Sequence, residues 1–375
     1  MIPRAIESQI LQQMKEMKKI TVIYGARQTG KTTLVKEIIA KSGIKSIAVN
    51  ADQQKYLDLL SSRDVLKIQS LTSGYDLLFI DEAQRISEIG LNLKIIHDEL
   101  PGLAVIVTGS SSLNLADKIS EPLTGRKNVF TLFPVSMMEL MNLYSPFELH
   151  ERLEQFLVYG TYPEVITTHN LKGKERILTE IGSSYLFKDI FELLNLRHRE
   201  KLYDLLRLLA FQIGSEVSIH ELSNTLRLNR ESVEKYMHLL EETFIIFKLK
   251  AFSRNLRKEV SKMSKYYFYD LGIRNFLINN FNPLSFRNDI GQLWENFLIS
   301  ERMKYHAYSG ISTNAFFWRI YTGAELDYVE ETGGQLTGYE FKFTRPAKKP
   351  PKAWKETYDA QYEAINRENY LSFIT

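Results

Sequence analysis

Apolar positions recur at helical spacing over residues 5–17, where Ile6, Ile10, Leu11 and Met14 share one face. That pattern predicts an amphipathic helix. Short, mostly apolar runs follow at Ile20–Tyr24, Ser46–Asn50, Asp76–Ile80, Ala104–Thr108 and Asn128–Leu132, with helical stretches between most of them. Strands alternating with helices predict an α/β fold, a parallel sheet with helices on both faces. The Phe133-Pro134 step ends this region. From 135 to about 200 the pattern is helical, with a break near Tyr159–Pro163. Over 202–270 it predicts helices at Leu202–Ile213, His220–Leu226 and Arg230–Thr243, the last capped by Asn229. Two β-rich stretches follow, Phe244–Leu249 and Lys265–Asp270. A helix from Ile290 to about Arg302 precedes strands at Ala315–Tyr321, Glu325–Glu330 and Gly338–Phe343. A helix over 351–367 and a final strand are expected to close the chain. The expected divisions are 1–135, a helical linker or lid over 136–200, then 201–275 and 276–375.

A length of 375 residues suits two or three domains. With 44% hydrophobic and 25% charged residues, each can bury a core. Lysine plus arginine number 48 against 45 acids, so net charge alone neither demands nor excludes nucleic acid. There is no cysteine, which excludes disulfides, thiolate zinc sites and cysteine nucleophiles. No apolar run approaches the roughly 18 residues of a membrane span, and the N-terminus lacks a signal-peptide core. A cytoplasmic protein with no membrane partner is expected.

The first strand runs into Gly25-Ala26-Arg27-Gln28-Thr29-Gly30-Lys31-Thr32-Thr33 and then a helix. This fits G-x-x-x-x-G-K-[ST] in its strand–loop–helix setting, so residues Gly25 to Thr33 are expected to bind ATP. Glycines let backbone amides turn inward, and the helix N-terminus adds a positive dipole. Lys31 is expected to reach the β- and γ-phosphates, and Thr32 to ligate Mg²⁺. Asp81 and Glu82 end the apolar strand Leu77-Leu78-Phe79-Ile80, at the edge where open α/β sheets bind ligands. Asp81 is the expected Mg²⁺ carboxylate and Glu82 the general base. Thr108 is the first choice for sensing the γ-phosphate and Ser110 the second, with a plain Gly/Ser turn as the alternative. Arg126 is a candidate arginine finger, acting in cis or in trans, or a surface arginine. Arg27 is a weaker candidate.

Taken in order, Gly25–Thr33, Asp81-Glu82-Ala83-Gln84, Thr108-Gly109-Ser110-Ser111, Leu123-Thr124-Gly125-Arg126 and Phe133-Pro134 form a set. It resembles the prokaryotic AAA-type P-loop ATPases of the GxRQxGKTT / DEAQ group, which carry a C-terminal domain of unknown function. The resemblance continues through Tyr159–Pro163, Lys265–Gly272 and Glu340-Phe341-Lys342, so it covers nearly the whole chain. It departs at Gly160-Thr161, where the group more often has two glycines. The resemblance implies ATP binding and hydrolysis, a winged-helix middle and a nuclease-like C-terminal fold.

The residues of 201–275 fit that picture, since helix, helix, turn, helix and hairpin make a winged-helix pattern. Its third helix mixes Arg230 and Lys235 with Glu231, Glu234, Glu241 and Glu242, a poor groove reader. Its wing, 248–265, holds Lys248, Lys250, Arg254, Arg257, Lys258, Lys262 and Lys265 against Glu259. Such a wing can neutralise DNA or RNA phosphates without reading sequence, or be a solvated loop on a packing module. Farther on, Glu295 on a helix, Asp327 on a strand and Glu340-x-Lys342 on the next resemble the PD-(D/E)xK nuclease set. Asp327 and Glu340 would hold Mg²⁺, Lys342 would help activate water, and Glu295 would position a second metal or the lysine. The same residues also fit a scaffold without turnover. The leading expectation is an ATPase driving conformational change in a nucleic-acid- or partner-binding C-terminal half. The alternatives are a slow nucleotide-gated switch and an ATP-regulated nuclease, and a homo-oligomer is compatible with all three.

Overall fold

The computed structural model describes all residues except 1, 17–18, 111–118, 120, 186–198, 254–262, 321–322, 345–348 and 359. The described chain divides into two compact units, residues 3–133 with 242–244, and residues 134–241 with 245–375.

The first unit is built on a five-stranded sheet in the order β2-β3-β4-β1-β5. Its strands are β1 (Ile20–Tyr24), β2 (Ser46–Asn50), β3 (Leu77–Asp81), β4 (Ala104–Gly109) and β5 (Lys127–Thr131). Every neighbouring pair is parallel. β1, β3 and β4 are almost wholly buried, which is why they read as continuous apolar runs rather than alternating ones. Helices α1 (Glu7–Glu16), α2 (Lys31–Ser42), α3 (Gln54–Leu60), α4 (Val65–Thr72) and α5 (Ile89–Glu99) supply the crossovers and faces. α2 buries Leu34, Val35 and Ile38. Val22, Leu78, Ile80, Val107, Leu93 and Ile96 share one core cluster. Each such side chain contributes about 1.5–3 kcal/mol by leaving water. All strands point the same way, so their C-terminal ends form a single edge. The loop after β1, the acids after β3 and the serine after β4 therefore sit on that edge together.

The second unit begins with helices, among them Pro146–Tyr159, Pro163–Thr167 and Leu171–Glu180. The turn between the first two explains the Gly160-Thr161 step. Gly160 has φ 70°, and a Cβ there would lie 2.1 Å from Asp270 Oδ1. Thr161 keeps a negative φ and donates its N–H to Asp270 Oδ2 at 2.6 Å. Only the first position of the pair requires glycine. Next come helix Arg199–Phe211, β6 (Glu216–Val217), helices Ile219–Leu226 and Arg230–Glu242, then β7 (Ile246–Ala251) and β8 (Ser264–Phe268). Asn229 caps as expected, its Oδ1 accepting from Ser232 N at 2.7 Å.

The chain ends with helix Ile290–Ser309, β9 (Asn314–Arg319), β10 (Glu325–Thr332), β11 (Gln335–Phe341), helix Lys352–Tyr358, β12 (Gln361–Ile365) and helix Tyr370–Ile374. One seven-stranded sheet, β12-β11-β10-β9-β7-β8-β6, runs through residues 216–365. The link is a short parallel pairing of Lys250 with Phe316 and Ala251 with Phe317. Residues on both sides of position 276 thus share a sheet. The end of the chain differs from expectation. The helix foreseen over 351–367 stops at Tyr358, and Gln361–Ile365 pairs in parallel with β11. The last element is a helix that buries Tyr370, Phe373 and Ile374. Sheet pairing overrides the local helical pattern here. No helix among the described residues is long and apolar enough to cross a membrane.

Candidate functional site

Gly25 leaves β1 with φ 151°, and a Cβ on it would sit 2.2 Å from the Leu132 carbonyl oxygen. Glycine is therefore required for the loop to pass the chain just beyond β5. Gln28 at φ 61° and Gly30 at φ 93° complete a turn of the kind that can present backbone amides to an anion. Thr29 is fully buried, and its hydroxyl donates to the Ala26 carbonyl at 2.9 Å. Lys31 opens α2 and is 7% exposed. Its Nζ donates to the carbonyls of Gly25 and Ala26, both at 2.8 Å. The ammonium thus lies inside the arc of the loop. Thr33 faces outward.

Thr32 turns toward β3, its hydroxyl 3.1 and 3.0 Å from the two Asp81 carboxylate oxygens. Thr108 on β4 donates to Asp81 Oδ1 at 2.5 Å and accepts from Glu82 N at 3.4 Å. Loop, β3 and β4 therefore converge on Asp81. A hydroxyl and a carboxylate meeting beside a phosphate-type loop are oxygen donors of the kind Mg²⁺ takes. Glu82 occupies the left-handed region at φ 55°, a costly conformation for a non-glycine residue. Gln84 donates from Nε2 to Glu82 Oε2 and to Ser110 Oγ, the latter at 3.1 Å.

The structure separates Arg126 from this group. Its carbonyl accepts from Ile20 N at 2.8 Å, at the start of β1, whereas the loop leaves the other end of that strand. Five strand residues at about 3.3 Å each put roughly 15 Å between the two edges. Arg126 Nε donates instead to Asp98 Oδ1 at 2.9 Å. Within its own chain it lies at the edge of the sheet opposite the loop, because the strands are parallel and it precedes one rather than following it. Arg4 is a residue the sequence pattern did not flag. It is 8% exposed and donates to the carbonyls of Thr29 and Phe133, both at 2.6 Å. It thereby ties the loop to the strand exit, across 25 and 129 residues of chain.

The second unit gathers its own charged cluster. Glu295 Oε1 accepts from Lys265 Nζ at 3.0 Å and from the Tyr267 hydroxyl at 2.6 Å. Asp327 is buried, with Oδ2 accepting from Phe341 N at 2.7 Å. Glu340 pairs with Lys342 at 2.8 Å. Burial, then repulsion from Glu295 and Glu340, pushes the Asp327 carboxyl up to about 8, against the pull of Phe341 N and Lys265. The four foreseen residues share one electrostatic neighbourhood, to which Lys265 and Tyr267 are additions. Among the described residues, no three His, Cys, Asp or Glu side chains gather as a metal-binding group. The foreseen wing is split: Lys248, Lys250 and Lys265 are described, whereas Arg254, Arg257, Lys258 and Lys262 lie outside the described residues.

The raised Asp327 carboxyl has a consequence for stability. The folded chain keeps this proton up to about pH 8, and the unfolded chain releases it near 4. Between those values the folded state binds more protons, so stability falls as pH rises. The Asp327→Asn protein should lack this loss and gain several degrees in Tm on its parent between pH 5 and pH 8. Parallel Tm-versus-pH curves would remove the assignment.

Residues 17–141 match the family model described as an AAA domain. Residues 150–284 and 290–371 match two models of domains of unknown function, DUF8612 and DUF4143. The chain is 27% identical over 302 residues to the uncharacterized protein MJ1544 of Methanocaldococcus jannaschii, covering 76% of this chain and 66% of that protein. It is 26% identical over 300 residues to an uncharacterized protein of Haemophilus influenzae, covering 74% of each. Among solved structures, the Walker-type ATPase PABY2304 of Pyrococcus abyssi superposes with TM-score 0.50 at 16% identity, over 74% of this chain and 96% of that one. At that identity the likeness establishes the fold. The first unit thus has a P-loop ATPase fold that matches the AAA domain model, followed by further α/β structure.

Proposed function

We propose that this P-loop protein binds Mg·ATP at Gly25–Thr33 and hydrolyses it. The observation that carries the reading is the convergence of Thr32, Asp81 and Thr108, with Glu82 one residue beyond. Thr32 and Asp81 are the residues that would hold Mg²⁺, which supplies charge neutralisation at the phosphates. Lys31 binds the β- and γ-phosphates. Glu82 accepts the proton of the attacking water. Thr108 orients Asp81 and the Glu82 backbone, which supports its role as the polar residue that registers the γ-phosphate. Arg126 remains available only to a neighbouring copy of the chain, and only after giving up Asp98. Phosphate release from Mg·ATP by the purified chain tests the proposal, with the Lys31→Ala protein as the inactive comparison. Release at equal rates from both would overturn it.

The second unit is then the receiver of the nucleotide state. The order of helix Arg199–Phe211, β6, two helices and the β7–β8 hairpin supports a winged-helix reading of 201–275. With Lys265 buried against Glu295, the six basic residues left over 248–262 favour nucleic-acid phosphates as the partner of the wing. A second reading, an ATP-regulated nuclease, draws on the electrostatic coupling of Asp327 to Glu295, Glu340 and Lys342. Incubating the Lys31→Ala protein with plasmid DNA and Mg²⁺ separates it from a retained scaffold. DNA loss that Asp327→Asn abolishes supports the nuclease, and intact DNA rejects it.

A further inference from the structure

Gln84 touches both the proposed base and the end of β4, and neither contact is explained by the fold. A carboxylate is acceptor-only, so the amide face turned to Glu82 Oε2 must be the NH₂ group, whichever way the amide is drawn. The second amide hydrogen goes to Ser110 Oγ at 3.1 Å. Ser110 is 2% exposed and follows Gly109, which pairs with Tyr24. It therefore stands abreast of Gly25, at the mouth of the loop. A hydroxyl has one hydrogen to give and two lone pairs to receive with. Ser110 receives from Gln84, so its own hydrogen is the one it can offer to an acceptor. A terminal phosphate oxygen is such an acceptor. The geometry thus links Ser110 to Gln84 and Gln84 to Glu82, and a phosphate accepting from Ser110 would extend that chain to the nucleotide.

We infer that Gln84 is a positioning residue for hydrolysis, holding the Glu82 carboxylate in register with Ser110 so that the base is aimed when Ser110 meets the terminal phosphate. This rests on the ATPase reading above. The left-handed backbone of Glu82, φ 55°, is costly for a non-glycine residue and is held from outside. Its N–H to Thr108 fixes the main chain but leaves the carboxylate free to rotate. Gln84 supplies the missing constraint. The short 3₁₀ turn Ala83–Arg85 fixes where its side chain starts.

The test measures kcat and KM for Mg·ATP in the parent, Gln84→Ala and Gln84→Glu. Misaiming a base by about 1 Å costs up to roughly 100-fold. Both variants should therefore lose about 10- to 100-fold in kcat, with KM within about threefold of the parent. Gln84→Glu preserves volume and is the control if Gln84→Ala melts early. In a Glu82→Gln background, Gln84→Ala should cost nothing more, because its effect passes through Glu82. A purely structural glutamine would lower kcat by the same factor in both backgrounds, and that result overturns the inference. So does parent-like kcat in both variants, or a change confined to KM. If the parent itself binds Mg·ATP without turnover, the hydrolysis reading falls and Gln84's role falls with it. Turnover in the parent with no Gln84 effect removes only the latter.

Discussion

The Lys31→Ala protein should lose on the order of 100- to 1,000-fold in ATP affinity while remaining folded. Lys31 Nζ lies inside the loop, donating to the Gly25 and Ala26 carbonyls at 2.8 Å. Phosphate oxygens are stronger acceptors than carbonyls, so the ammonium can exchange those contacts for charge-assisted ones. Each hydrogen bond to a charged group contributes about 1.5–3 kcal/mol, and two of them account for the predicted factor. Alanine keeps α2 intact, since it is the best helix former, and Leu34, Val35 and Ile38 still anchor that helix. A fluorescent nucleotide titration, paired with a melting curve, reads both effects. Affinity within threefold of the parent would mean that the nucleotide does not sit on this loop.

Glu82→Gln should separate binding from chemistry. The amide preserves shape and can still meet the Gln84 side chain, but it cannot take a proton from water. General-base contributions run to about 100- to 10,000-fold, so turnover should fall by that order with ATP affinity close to the parent's. The backbone at Glu82 is held by its N–H to Thr108 and does not depend on the side-chain charge. Single-turnover phosphate release is the measurement. Parent-like rates would transfer the base role elsewhere on the edge shared by β3 and β4.

Much of the first unit is legible in the sequence because its signals are local. The apolar run of β1, the glycine positions and Lys31-Thr32 all fall within thirteen consecutive residues, and the strand–loop–helix context follows from them. Asp81 and Glu82 are readable for the same reason, as acids ending a buried strand. Arg126 shows the limit of that logic. Its sequence surroundings fit a finger, but strand direction decides its edge, and it precedes β5 instead of following it. Arg4 was invisible because its partners lie 25 and 129 residues away, and an arginine near a terminus carries no pattern of its own. Gln84 did carry a signal, its place in Asp81-Glu82-Ala83-Gln84, although its link to Ser110 depends on β3 and β4 being neighbours. The C-terminal region is less legible. β12 has a helix-compatible pattern, and only its pairing with β11 makes it a strand. Lys265 and Tyr267 join Glu295 through the packing of helix Ile290–Ser309 on β8, which neither segment announces alone.

The most direct test of the central claim is an experimental structure with Mg²⁺ and a nonhydrolysable ATP analogue. The phosphates should seat on the amides of Gly25–Thr33, with the metal beside Thr32 and Asp81. Lys31 Nζ should turn from the Gly25 and Ala26 carbonyls to the β- and γ-phosphates. A nucleotide bound elsewhere, or a Lys31 that keeps its carbonyl contacts with no phosphate near it, would contradict that claim.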